Sequence, residues 1–329
     1  MRPPTPRAEV FRAYWYFAAE RQRIFEARLK DSRGPWTGDP ILAAHRFCNT
    51  FRASDRVSQD LIRIAYAPQA RSTADVFVRV MIHRLFSRPE TFALIDDATE
   101  GLSADTFDAR RLGTVLDEAR AAGCKLYTGA FILCANRAYG HPSKHRNHLE
   151  LVQAMLEGGV AEQVERAGSL QEIYENLRTW PLLGPFMAYQ LTIDLNYTPI
   201  VDLDEDEFTV PGPGAIRGLA KVFLDLGSLS PAEAVKWLVR HQHRALEEFG
   251  ITPPKLFGRP LKAIDAQNLL CEVDKYSRVR FPELRSNRTR IKQRFVADPT
   301  PLALFYKPSW GINEAATAAC ASTGIPLAA

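Results

Sequence analysis

Five carboxylates occupy six positions at Asp202-Leu-Asp204-Glu205-Asp206-Glu207. Acids clustered in this way can move protons or stabilise a developing cation. The same composition also makes a solvated loop or a helix N-cap. A glycine turn lies on either side. Trp180-Pro-Leu-Leu-Gly184-Pro185-Phe186 precedes the cluster, and Pro211-Gly212-Pro-Gly214-Ala-Ile-Arg217-Gly218 follows it. A helix is expected to open at each turn, because proline loses nothing by lacking an N–H in the first helical position. The N–H groups left free there can hold an anion, usually a phosphate. Arg217 and Lys221 fall on the first turns of the second of these helices. A tight packing turn is the alternative for both.

Two further groups carry paired donors and acceptors. Arg46, Asn49, Arg52, Asp55, Arg56 and Gln59 form one. On a single helix Arg52 and Arg56 would share a face, as would Asp55 and Gln59. Asp265, Gln267, Asn268 and Glu272 form the other, with Asp265, Asn268 and Glu272 on one helical face. Asn and Gln can read a base edge, and Arg can grip a phosphate. A buried network between helices uses the same residue types. Tyr189 and Gln190, just after the Gly184 turn, are candidates for the same pocket. His141, His145 and His148 lack a nearby Cys or carboxylate set, so they read as a solvated basic loop rather than a zinc site.

The net charge of +4 is unevenly spread. From Lys275 to Phe295 there are eight basic residues and one acid, Glu283, so this stretch carries +7 and the rest of the chain −3. Lys275, Arg278, Arg288, Arg290 and Arg294 are therefore candidates to neutralise phosphates, in binding that weakens with salt. A merely solvated basic surface is the alternative. The 46% apolar and 24% charged residues are those of an ordinary soluble globular protein. No apolar run is long enough to span a membrane, and no secretory signal follows the N-terminus. Five scattered cysteines without a CxxC suggest reduced thiols. A cytoplasmic monomer is expected, without membrane contact, metal or other cofactor.

The elements that must position these groups are helical. Patterns with a 3.6-residue period recur, and strand signals are sparse. Helices are expected over about 9–30, 54–65, 73–85, 105–122, 145–157, 160–167, 169–179, from 185 onward, 230–249 and 261–276. The fold class expected is all-α, in two helical lobes around a cleft. Residues 1–298 read as one such unit. Residues 299–329 read as an Ala/Pro/Thr-rich tail, in part disordered.

The Trp180–Phe186 stretch resembles the second half of a helix–hairpin–helix of the DNA glycosylase superfamily, with Leu182 where that pattern has its first glycine. The resemblance implies a catalytic carboxylate about twenty residues after the hairpin, hence Asp204 or Glu205, then Asp206 and Asp202. Four blocks add a more specific resemblance. They are Pro35-Trp-Thr with Arg46-Phe-x-Asn49-x-Phe-Arg52-x-x-Asp55-Arg-Val-Ser-Gln59, then Trp180 to Tyr197, then Gly212-Pro-Gly-Ala215, then Asp265-x-Gln-Asn268-x-x-Cys-Glu272-x-x-Lys-Tyr276-x-Arg278. Together these resemble the 5-hydroxymethyluracil DNA kinase helical-domain family, also described as α-glutamyl/putrescinyl-thymine pyrophosphorylases. That family is understood as a divergent branch of the helix–hairpin–helix glycosylase fold.

The resemblance implies double-stranded DNA with modified bases as partner, and base flipping before chemistry. It implies a DNA glycosylase excising a hypermodified base, plausible in anti-phage defence. Phe186 stands where bifunctional glycosylases carry a lysine, so such an enzyme would be monofunctional and leave an abasic site. No Cys₄ spacing for an iron–sulfur cluster is present. The alternatives are a transferase that displaces pyrophosphate from an activated hydroxymethylpyrimidine and a non-catalytic protein that binds modified DNA. The sequence contains no GxxxxGK[ST] loop, so the chain is not expected to phosphorylate anything itself.

Overall fold

The computed structural model describes residues 2–128, 137–284, 291, 293–296, 298, 300 and 302–321. In chain order, a two-residue strand β1 (Thr5–Pro6) leads into α1 (Ala8–Lys30) and α2 (Pro40–Ala44). Then come α3 (Arg56–Ala65), α4 (Thr73–Phe86), α5 (Pro89–Ala98), α6 (Ala109–Ala121), α7 (Lys144–Glu157), α8 (Val160–Glu165), α9 (Leu170–Arg178) and α10 (Pro185–Asn196). The series continues with α11 (Pro213–Val222), the short strand β2 (Phe223–Asp225), α12 (Pro231–Glu248), α13 (Ala263–Arg280) and α14 (Asn313–Ala321). The fold is all-α, and the one sheet among the described residues is the antiparallel β1–β2 pair.

The chain divides into two compact units. One comprises Met1–Asp55 with Glu205–Ala329, and the other comprises Arg56–Asp204. In the second unit α4 is buried from Asp75 to Phe86, and α10 from Met187 to Asn196. Such helices are buried nearly all round, as core elements are. A buried ion pair joins them. The Arg84 guanidinium meets the Asp194 carboxylate with both side chains buried, Nη2 lying 2.8 Å from Oδ1. Helix starts follow local chemistry. Ser72 and Asp75 form a capping box on α4, and Asp108 and Ser169 cap α6 and α9.

In the first unit α1 buries Val10, Phe11, Tyr14, Trp15, Phe17 and Ala18. Phe11 meets Phe223, Trp237 and Phe249, and the Tyr14 hydroxyl donates to the Ala266 carbonyl at 3.2 Å. Helix α11 lies directly on α13. A Cβ on Gly218 would stand 2.2 Å from the Leu270 carbonyl oxygen, and one on Gly214 would stand 2.4 Å from the Cys271 sulfur. The first is a collision with backbone, which cannot swing aside. Gly218→Ala is accordingly expected to destabilise the protein by about 1–3 kcal/mol, read from urea unfolding.

Several elements differ from the sequence reading. Asp55 is extended (φ −70°, ψ 143°) and closes a 3-10 turn at Arg52–Ser54. One helix therefore does not run from 54, and Arg52 and Asp55 do not share helical faces with Arg56 and Gln59. His145 and His148 are buried on α7 rather than solvated in a loop. The C-terminal stretch read as a tail carries a 3-10 turn at Pro308–Trp310 and α14, with Tyr306 fully buried. No helix among the described residues is long and apolar enough to cross a membrane.

Candidate functional site

The densest polar chemistry lies in the first unit, where the segment 46–55 meets α13. The Asp55 carboxylate accepts from the Asn49 N–H at 2.8 Å. The Asn49 amide donates to the Ser54 carbonyl at 2.8 Å and accepts from Arg21 Nη2 at 3.0 Å. Glu272 accepts from the Cys48 N–H at 3.1 Å and from Lys275 Nζ at 2.7 Å. Asp265 accepts from the backbone N–H groups of Arg52 and Lys262, at 2.7 and 3.0 Å. Burial pushes Asp55 up to about 6, against the pull of the Asn49 N–H. Burial also pushes Asp265 up to about 6, against Arg259. For Lys275 burial lowers the pKa, but Glu272 and Cys271 outweigh it and hold the ammonium above its ordinary range.

Glu205 joins this site. Its side chain is 3% exposed, and Oε1 lies 2.5 Å from Arg259 Nη2. The Arg259 guanidinium lies over the Trp310 ring, 4.0 Å from its centre. The other carboxylate oxygen, Oε2, is buried and meets no donor among the described residues. Burial pushes the Glu205 acid up to about 7, although Arg259 pulls it down. A carboxyl poised there can hold or release a proton at neutral pH. Asp206 accepts from the Ala263 N–H at 3.0 Å and pairs with Lys262 Nζ at 2.6 Å. It thus supports the N-terminus of α13.

Three cations converge on Asp274, which is fully buried. Arg217 Nε, Lys221 Nζ and Arg278 Nη2 lie 3.2, 3.0 and 2.5 Å from its carboxylate. Burial alone would raise this carboxyl, but Lys221 and Arg278 hold it below its ordinary range. Arg217 is the most open of the three, with 28% of its side chain exposed. The cluster keeps an excess of two positive charges.

The model of the 5-hmdU DNA kinase helical domain matches residues 8–286. The chain belongs to this family. A 5-hmdU DNA kinase of Bacillus phage SP10 is 28% identical over 298 residues, covering 84% of this chain and 46% of the phage protein. The chain thus spans about half the length of that relative. No solved structure matches.

These findings correct the expected activity. Family and relative both carry the name of a kinase, which transfers a phosphoryl group. The expectation of a hydrolytic DNA N-glycosylase, with its role in defence, is overturned. The pyrophosphate-displacing transferase and the non-catalytic binder differ from a kinase as well.

The acidic residues separate by environment. Glu205 is buried, Asp206 half-buried, and Asp202, Asp204 and Glu207 are exposed. The division between the units falls between Asp204 and Glu205. Asn49, Arg52, Asp55, Asp265 and Glu272 come together in the first unit. Gln267 accepts from the Thr209 hydroxyl at 2.9 Å there, and Asn268 is half-buried on α13. Arg46 is exposed. Arg56, Gln59, Tyr189 and Gln190 belong to the second unit, all but Arg56 buried. Gly212 and Gly184 are N-caps without side-chain capping bonds. Phe186 is 40% exposed beside Gly184. Leu182 adopts φ +71°, a left-handed backbone that favours glycine and costs a leucine about 1–2 kcal/mol. Arg178 Nη1 donates to the Leu183 carbonyl at 2.8 Å and braces this turn. Arg294 is exposed, and Arg288 and Arg290 lie outside the described residues. His145 pairs with Asp117 at 2.7 Å, and no group of His, Cys, Asp and Glu among the described residues could hold a metal.

Arg21, Arg259, Lys262, Asp274, Tyr306 and Trp310 were not singled out by the sequence. Arg259 lies 54 residues from Glu205, and no local spacing signals such a pair.

Proposed function

We propose that this helical domain serves the phosphorylation of 5-hydroxymethyl-2′-deoxyuridine in DNA. It would bind the duplex and hold the modified nucleotide while its hydroxymethyl oxygen attacks the γ-phosphorus of a nucleoside triphosphate. The new bond is O–Pγ, the bond to the diphosphate breaks, and the hydroxyl proton passes to a base. The match of residues 8–286 to the family carries this reading. Phosphate-cradling chemistry for the triphosphate would come from a nucleotide-binding module, since the sequence has no GxxxxGK[ST] loop.

Duplex DNA with one 5-hydroxymethyluracil is the test substrate. It is incubated with ATP, Mg²⁺, this chain and the part of the phage relative that this chain does not match, and the nucleosides are analysed by mass spectrometry. A phosphorylated hydroxymethyl nucleoside, absent when this chain is left out, is expected. Unaltered hydroxymethyl nucleoside in the complete mixture, with duplexes containing 5-hydroxymethyluracil and thymine bound equally, would count against the reading.

Support for the DNA-binding part comes from the exposed cations Arg280 and Arg294 in the +7 stretch. Reversing both to Glu is expected to weaken duplex binding about tenfold or more at low salt. The slope of log affinity against log salt should fall by about 2. Fluorescence anisotropy across a salt series measures both.

A further inference from the structure

Residues 302–320 lie beyond the family match, which ends at 286, yet they pack on the arginine that pairs with Glu205. The Tyr306 hydroxyl bonds Ser54 Oγ at 2.9 Å, within the segment that also presents Arg52 and Asp55. Trp310 takes the Arg259 guanidinium on its face, and Arg259 in turn binds Glu205 Oε1. The tight turn Leu256–Arg259 puts Phe257 at φ +50° beside Tyr306, with ring centres 6.0 Å apart. Helix α14 anchors the far end on α1. Beneath these layers Glu205 Oε2 is buried without a donor among the described residues. A buried acceptor left unsatisfied costs free energy that a donor would recover.

We infer that residues 302–320 form a cover, latched by Trp310 on Arg259, over a hydrogen-bonding site at Glu205 Oε2, which is an acceptor in its carboxylate form. The ligand is an uncharged donor of the kind an extruded pyrimidine offers, a ring N–H or a hydroxymethyl O–H. Opening lifts Trp310 from Arg259, and the donor then reaches Oε2. The nature of this ligand rests on the function proposed above; the cover does not.

Two measurements on the full chain test this. The first needs no DNA: carboxylates are labelled with a water-soluble carbodiimide and an amine, and the sites are read by mass spectrometry. In the wild type Asp202 and Asp204 label and Glu205 is protected. In Trp310→Ala the Glu205 label should rise about tenfold, the scale set by losing one cation–π latch. Equal protection in a variant with an unchanged circular dichroism spectrum overturns the cover. Should Trp310→Ala not fold, Tyr306→Phe removes the Ser54 bond and keeps the ring. An increase in Glu205 labelling is again expected, and its absence again overturns the cover. The second measurement is affinity for a duplex with a single 5-hydroxymethyluracil. Trp310→Ala should bind it about tenfold more tightly, with thymine duplex unaffected. Weaker binding would make Trp310 part of the binding surface and overturn the cover. If neither protein distinguishes the two duplexes, the proposed substrate fails while the labelling still decides the cover.

Discussion

Replacing Asp194 with alanine is expected to cost about 3–5 kcal/mol, because it strands the Arg84 guanidinium inside the core of the second unit. Both side chains are buried, and both come from helices that are buried over nearly their whole length. A charge left there without its counterion cannot reach water unless α4 and α10 separate. The loss of Asp194 therefore exceeds the value of the pair itself. Replacing both partners should behave differently. Arg84→Met with Asp194→Leu removes the charges and their desolvation together, and such exchanges are often neutral or even stabilising. Urea unfolding of the wild type, both single variants and the double variant gives a complete cycle. A double variant as unstable as Asp194→Ala would show that the pair contributes more than neutral packing can replace.

What the sequence made legible follows from how local each cause is. The boundary between α9 and α10 was readable, since Pro185 opens a helix and the chain must turn before it; α9 ends at Arg178 and α10 starts at Pro185. The long first helix, expected over 9–30, was readable too, and α1 runs from Ala8 to Lys30. Leu182 was noted as an exception to a glycine pattern, and its left-handed backbone shows that the turn keeps the conformation that glycine would ease. The run through Arg52 and Asp55 misled, because helical spacing was assumed where Asp55 is extended and receives the Asn49 N–H. Gly214 and Gly218 were read toward phosphate, while Cys271 and Leu270 show that the approach of α11 to α13 already demands them. The site partners Arg259, Trp310 and Arg21 were out of reach. Their selection depends on a contact across 54 residues between Arg259 and Glu205, and on a C-terminal stretch whose composition reads as a tail. Activity was misread for a related reason: a hairpin and an acidic cluster can serve many chemistries, and the family decided among them.

Raising the pH from 5 to 8 is expected to remove about 3 kcal/mol of stability through Glu205, while the buried His83 and His148, held down to about 3, act in the opposite direction. In the unfolded chain this acid ionises near the ordinary 4.5, whereas in the fold it does so only at about 7. Between those values the folded protein keeps a proton that the unfolded chain has released, so protonation favours folding. The contribution is full below about 4.5, declines as pH rises through the window, and is gone above about 7. A shift of that size, at 1.36 kcal/mol per pH unit, gives the figure of about 3 kcal/mol. Asp55 and Asp265 act in the same direction from 3.8 to about 6, so most of their share has gone before neutrality. Comparing Glu205→Gln with the wild type isolates the one acid. The amide cannot ionise, and its oxygen can still accept from Arg259. The stability of the wild type relative to the variant should therefore fall between pH 5 and 8, chiefly between pH 5 and 7. Urea unfolding at four or five pH values measures it. Parallel curves for the two proteins would mean that Glu205 ionises near its ordinary value in the fold, with Arg259 overcoming its burial.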